Sequence, residues 1–281
     1  MAKPSDFSGV TVLITGASMG VGAATARSFG TRGASLVLIA RGREKLEELA
    51  RALDFGDRVM VAPMDVTDTA TFTEVLEKAN RRFGSVDVLV NNAGYHSRGA
   101  VEGVDVDDLG RMVDVNLKAP IVATRLALPY LRQSRRPAVI NVASLAGRTP
   151  VPGSATYSAT KFGLRAFGLA LAEEMRGEGI KIASVSPGPI DTGFIMEDID
   201  SVTDLTFSQP ISTAEQVAEA IVSLVDNQVR DLPMPRISGY LTTVSYLFPG
   251  IGRALRPMLE KKGRKTKDRL KRERGQDNSD R

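Results

Sequence analysis

Residues 10–22 read VTVLITGASMGVG. The first five are a short, largely β-branched apolar run, the pattern of a buried strand. Thr15-Gly16-Ala17-Ser18-Met19-Gly20-Val21-Gly22 then turns the chain, and a helical pattern follows over about 21–31. Glycines at such a turn let the backbone bend tightly and approach a pyrophosphate closely. The helix that opens there offers free N–H donors and partial positive charge. A glycine-rich turn alone is a weak signal, and its place between strand and helix is what gives it weight.

Working outward, apolar runs recur at 36–39, 59–62, 86–90, 139–142 and 182–185. Helical patterns lie between them, at 42–53 with Leu46, Leu49 and Leu53 on one face, and at 69–83, 105–114, 117–133 and 155–176. Short buried strands alternating with helices predict βαβ units and a parallel sheet covered on both faces. The expected fold class is therefore α/β, a Rossmann-like doubly wound sheet in a three-layer α/β/α sandwich. One domain is expected over 5–235, closing with a helix at 213–227 capped by Thr213 with Gln216 three residues on. A helical, amphipathic and basic C-terminal extension is expected over 236–281. There Tyr240, Leu241, Val244, Leu247 and Phe248 fit one helical face, Pro249-Gly250 breaks it, and Ile251, Leu255, Met258 and Leu259 fit a second. The cluster at 261–274 reads as mobile or surface-bound.

The 281 residues contain no cysteine and one histidine, His96, which excludes disulfides, thiolate sites and multi-histidine metal centres. The net charge of +4 is unevenly placed: 253–281 carries 12 Lys/Arg against 5 Asp/Glu, while 1–252 carries 25 against 28. The start of the chain lacks a secretory pattern and no run of 18 apolar residues occurs, so a cytoplasmic location is expected, with peripheral membrane contact through the tail left open.

The second strand ends Ile39-Ala40-Arg41, near where a carboxylate would hold a ribose 2′-hydroxyl. Alanine stands there and Arg41 follows. A guanidinium pairs with a 2′-phosphate that a carboxylate would repel, so NADP(H) is expected, with Ser18 and Arg43 as helpers. Asp65-Val66 closes the third strand, where a carboxylate can meet an adenine amino group. Asn91-Asn92-Ala93-Gly94 closes the fourth, where amides can tie loops together and small residues let a cofactor lie across the strand ends.

Tyr157 and Lys161 are four residues apart, one turn on a single helix face. A free phenol has a pKa of about 10, and a neighbouring ammonium lowers it. Ser144 follows the strand at 139–142, at the sheet end where ligands bind, and its hydroxyl can hold a carbonyl oxygen as charge develops. Asn116 opens the preceding helix, either as its cap or as holder of a water in a proton relay.

In order, 15–22, 91–94, Asn116, Ser144, Tyr157 and Lys161 resemble the motifs of the short-chain dehydrogenase/reductase family, over roughly 8–195. Pro187-Gly188-Pro189-Ile190-Asp191-Thr192 is similar to the family's segment beside the nicotinamide. The resemblance implies an oxidoreductase moving a hydride between NADP(H) and a carbonyl or secondary alcohol. It implies Tyr157 as general acid/base, with Lys161 lowering its pKa and bonding the nicotinamide ribose. Ser144 would orient the carbonyl and Asn116 support a water-linked proton path. Gly16, Gly20 and Gly22, with Ser18 and Met19, would form the phosphate turn. Arg41, Asp65, Val66, Asn92, Ala93, Gly94, Pro187, Gly188, Ile190 and Thr192 would complete the cofactor site.

Two departures stand out. No clear glycine-rich final strand is found at 231–240, which puts a tetramer in doubt, although a homo-oligomer is expected. The tail after Gly239 lies beyond the family's common core. The apolar start of 194–212, Phe194, Ile195 and Met196, favours a lipophilic ketone, a 3-oxoacyl or a steroid-like substrate. For the tail, four readings stand: a frayed terminus, contact with anionic lipid, packing in a dimer, and packing over the active site. Nucleic acid is not favoured, because the basic run lacks interleaved aromatics. The alternative to an enzyme is a non-catalytic NADP(H)-binding regulator or membrane-associated scaffold.

Overall fold

The computed structural model describes residues 6–193 and 199–277. The first strand, β1 (Thr11–Thr15), is buried at every position, as its apolar run demands. It leads through the glycine turn into α1 (Gly20–Gly30). β2 (Ser35–Ala40), α2 (Arg43–Leu53), β3 (Val59–Pro63), α3 (Thr69–Phe83) and β4 (Val88–Asn91) complete the first half. The second half runs α4 (Val106–Val113), α5 (Ala119–Leu131), β5 (Ala138–Val142), α6 (Ala155–Glu174) and β6 (Lys181–Pro187). Then come β7 (Ile190–Asp191), β8 (Ser212–Thr213), α7 (Ala214–Asp226) and β9 (Asp231–Met234).

Seven strands form one sheet in the order β3-β2-β1-β4-β5-β6-β9, all parallel, and β7 and β8 pair in a small second sheet. Alternation along the strands builds two cores. Val12, Ile14, Leu36 and Leu38 pack with Phe29 of α1, Leu46 of α2 and Ile221 of α7. Leu13, Val37, Ile39 and Leu89 point the other way, onto Phe72 and Leu76 of α3 and Ala127 of α5. Side chains of a strand alternate faces, so each strand serves both layers, which is the expected three-layer sandwich. The strand order reverses between β1 and β4, and a crevice opens at the C-terminal strand ends there.

Three expectations need adjusting. Asn116 does not cap a helix: α4 and α5 are joined by a π-helical turn, Asp114–Lys118, and the helix runs through it. The seventh strand exists despite its lack of glycines: Asp231–Met234 pairs with Ser184–Pro187 at the sheet edge, a position that tolerates Pro233. The basic cluster is neither frayed nor loose. It belongs to α9 (Pro249–Asp277), which follows α8 (Arg236–Leu247). α9 lies on the 199–208 segment, where Leu270 packs with Val202 and Phe207. A Cβ on Gly263 would come within 1.7 Å of the Asp204 carbonyl oxygen, so this close approach of helix and loop needs glycine. The predicted capping box is present: Thr213 Oγ1 accepts from Gln216 N, and Gln216 Oε1 accepts from Thr213 N. Phe194, Ile195 and Met196 lie outside the described residues.

Candidate active site

A single cleft of about 1680 Å³ runs over the strand ends. At one end is the glycine turn. Gly16 and Gly20 have φ of +65° and +52°. A Cβ on Gly22 would lie 2.1 Å from the Gly16 carbonyl oxygen, so the helix can start against the strand only with glycine there. Met19, at the helix N-cap, makes no side-chain capping bond, and the first turn of α1 carries no acid. The leading N–H groups of α1 therefore have no side-chain cap, which suits an anionic phosphate. The turn is braced from β4: Asn92 Nδ2 donates to the Thr15 and Gly16 carbonyls at 2.8 and 3.1 Å. Asn91 is buried and donates to Asn141 Oδ1 and Thr124 Oγ1, a structural role. Ala93, Gly94 and Val66 line the cleft.

Arg41 borders the same end, beside Ser18, Met19 and Asp65. Partial burial pulls the Asp65 carboxyl upward. Hydrogen bonds from Thr67 and the guanidiniums of Arg111 and Arg41 outweigh that and hold it below the ordinary carboxylate value. Arg111 donates to Asp65 Oδ2 at 3.0 Å, so this carboxylate already has a partner that the sequence pattern did not reveal. Beyond it, Pro187, Gly188, Ile190 and Thr192 line the cleft. A Cβ on Gly20 would stand 3.4 Å from Thr192 Cγ2, so the end of β7 reaches the glycine turn.

Ser144, Tyr157 and Lys161 line the cleft floor, and Asn116 lies buried behind it. Ser144 ends the β5 connection, and its Oγ accepts from Ala146 N at 3.1 Å. Burial raises the Tyr157 phenol above its ordinary value, while a hydrogen bond with Ser144 and the charge of Arg98 act in the opposite direction. Burial prevails, so the phenol stands above its ordinary value, and the lowering expected from Lys161 is not seen here. The Lys161 ammonium, buried, donates to the Val142 carbonyl at 2.9 Å and stands 5.7 Å from the Tyr157 ring centroid. Burial pushes its pKa down to about 8. Asn116, fully buried, clamps the Tyr95 backbone: Oδ1 accepts from Tyr95 N at 2.9 Å and Nδ2 donates to Tyr95 O at 2.8 Å. The π turn gives the helix one extra residue per turn there, a device frequent at functional sites.

The residues fit a nicotinamide dinucleotide. Gly16 and Gly22 leave no room for a Cβ, which lets the turn close tightly, and the uncapped helix end and the Ser144–Tyr157 pair share one cleft. A family model for the short chain dehydrogenase matches residues 10–202. The chain belongs to the short-chain dehydrogenase family. It is 33% identical over 210 residues to an uncharacterized oxidoreductase of Staphylococcus epidermidis, covering 75% of this chain and 88% of that one. It is 34% identical over 209 residues to one from Staphylococcus aureus, covering 74% and 89%. An oxidoreductase of Botryotinia fuckeliana is 38% identical over 180 residues, covering 64% of this chain and 65% of its own.

This short-chain dehydrogenase holds its floor with residues that carry no motif. His96 stacks on Tyr157, ring centroids 4.2 Å apart and planes at 15°. Burial, with the charges of Arg98 and Lys161, pushes the imidazole down to about 4, so it is neutral at pH 7. Asp231 on β9 gathers two arginines: Arg148 Nη2 at 2.5 Å, just after the Ser144 turn, and Arg165 Nη2 at 2.7 Å, one turn beyond Lys161. One edge-strand carboxylate thereby ties the segments of Ser144 and Lys161 together. The i,i+4 spacing of Lys161 and Arg165 was the only trace of this in the sequence. The tail supplies the cleft's outer wall, with Leu241, Val244, Tyr246, Ile251, Leu255 and Met258. Of the readings of the tail, packing over the cleft is the one the structure displays.

Proposed function

We propose that this oxidoreductase uses NADP(H) to interconvert a lipophilic ketone, of 3-oxoacyl or steroid-like shape, and its secondary alcohol. Residues 5–235 are the catalytic unit and 236–281 the extension that walls its substrate side. The observation that carries the reading is the Ser144–Tyr157 hydrogen bond at the floor of a cleft that also contains the glycine turn. The bound nicotinamide supplies or accepts the hydride. Tyr157 passes its proton to the carbonyl oxygen in reduction and retrieves it in oxidation, while Ser144 donates to that oxygen. Lys161 holds positive charge beneath the phenol and reaches the nicotinamide ribose. Asn116 keeps the Tyr95 backbone in place beside the Tyr157 helix and supports the water-linked proton path. Gly16, Ser18, Met19, Gly20 and Gly22 receive the pyrophosphate, Arg41 the 2′-phosphate, Asp65 and Val66 the adenine. Asn92, Ala93, Gly94, Pro187, Gly188, Ile190 and Thr192 line the nicotinamide side. Apolar walls from Leu145, Val151, Leu241 and Met258 favour a lipophilic substrate.

Fluorescence titration with NADPH and NADH, followed by NADPH oxidation against a panel of apolar ketones, tests the reading. The expected result is tighter binding of NADPH and turnover that requires Tyr157. Tight binding with no turnover across the panel would favour the regulator, and binding of neither nucleotide would remove the reading.

A further inference from the structure

Helix α9 has two faces. Gly252, Leu259, Gly263, Lys267 and Leu270 are partly or fully covered. The opposite stripe, Ile251, Leu255, Met258, Lys262, Lys265, Arg269 and Arg272, recurs at alternating steps of four and three and is exposed at every position. Its first three members are apolar and its last four basic, with no acid among them. The preceding helix and the residue that follows it add further exposed apolar positions, with Ile237 63%, Tyr240 73%, Leu247 63% and Phe248 58% exposed. Lys267, covered, and Arg264, exposed, both reach Asp204, and Lys271 pairs with Asp200. The helix is therefore anchored to the body by one set of cations while another set is displayed. Among the described residues no helix is long and apolar enough to cross a membrane.

We propose that this face docks on an anionic lipid bilayer, with Tyr240, Phe248 and Met258 among the acyl chains and Lys262, Lys265, Arg269 and Arg272 on the headgroups. A bilayer interface offers apolar and anionic chemistry side by side, in the order in which this stripe presents its partners. A second copy of the chain does not. Paired parallel, the basic halves would repel. Paired antiparallel, each basic half would meet an apolar half. The apolar half of the stripe also lines the cleft, through Ile251, Leu255 and Met258. Docking thus sets the cleft mouth against the hydrocarbon region, where a lipophilic substrate concentrates. The docking stands whether or not the cleft turns over a ketone, and the test reads docking alone.

The test is flotation of the full chain with vesicles of pure phosphatidylcholine and of phosphatidylcholine with phosphatidylserine, alongside analytical ultracentrifugation. The expected result is flotation only with the anionic vesicles, reduced at least about tenfold by Lys262→Glu/Lys265→Glu and by Tyr240→Ser/Phe248→Ser. Far-UV circular dichroism and the melting temperature show that each variant is folded. No flotation of the wild type, or equal flotation of the folded variants, overturns the proposal. So does a wild-type dimer that does not float and that the same variants dissociate, which would make the face a self-interface.

Discussion

Asp231 and Asp204 each gather two cations around one carboxylate, in different surroundings. Asp231 sits on the edge strand, with side-chain exposure of 15% against 8% for Arg148 and 27% for Arg165. Asp204 lies in the segment beneath the tail and is met by Arg264 Nε at 3.0 Å and Lys267 Nζ at 3.9 Å, the arginine 71% exposed. The first cluster is largely covered and couples the segments of Ser144 and Lys161 to the sheet. The second joins an open pair, Arg264 in contact with water and screened by salt, to Lys267, which is 11% exposed, stands farther from the carboxylate and also donates to the Val202 and Asp200 carbonyls. The floor of the cleft is thus tied by short contacts to covered guanidiniums, while its outer wall is held chiefly by the packing of Leu270 and Gly263, and the ion pairs at Asp204 add little.

The largest effect expected belongs to the floor itself. Tyr157→Phe keeps the ring and its stacking on His96 but removes the proton. Turnover should fall by about 10²–10⁴, the usual contribution of a positioned acid/base, with the melting curve little changed. A variant that retains half its activity would end the claim that Tyr157 is the proton donor.

Next is the clamp. Asp231→Ala leaves the buried Arg148 cation without its carboxylate and should cost about 3–5 kcal/mol in urea unfolding, with turnover reduced as well. A loss as small as that expected for Asp204 would erase the contrast between the two clusters.

Two buried bases should then show in the pH dependence of stability. The folded pKa of His96, about 4, lies below its ordinary 6.5, so between those values the unfolded chain binds a proton that the folded chain refuses. Stability contributed by His96 is full above pH 6.5 and falls as pH drops toward 4, and His96→Phe should flatten that limb. Lys161, pushed down to about 8 from 10.5, has the same sign at higher pH: its penalty on folding is present below about 8 and is relieved as pH rises toward 10.5. Urea midpoints of wild type and of Lys161→Met across pH 7–11 check this, and parallel curves would contradict the burial of a charged Lys161.

The smallest effect is expected at Asp204. Asp204→Ala should change unfolding free energy by no more than about 1 kcal/mol, and the change should shrink as salt is raised. A salt-independent loss of several kcal/mol would make the wall as firmly built as the floor.

The strands, the helices between them and the glycine turn were legible because each rests on local rules: a period of two or 3.6, a capping box at Thr213 and Gln216, glycine where backbone crowds backbone. The proposed catalytic residues stand out as motif members in the sequence, but how they are wired together does not. Nothing in the order of residues says that Asn116 sits in a π turn and clamps Tyr95, that His96 lies on Tyr157, or that Asp231 reaches Arg148 across the sheet. These are contacts between segments tens of residues apart, and only chain packing selects them.

By itself, the sequence determined the doubly wound sheet, the cleft at its strand ends, the motif residues around it and the basic character of the tail, because hydrophobic period, turn chemistry and charge are properties of neighbours. Tertiary structure alone decided that the tail's helix lies on the 199–208 segment, that it walls the cleft, and which of its cations reach Asp200 and Asp204. That division depends on which side of α9 meets Gly263's close approach to the loop, and a helix has no preferred side until something packs against it.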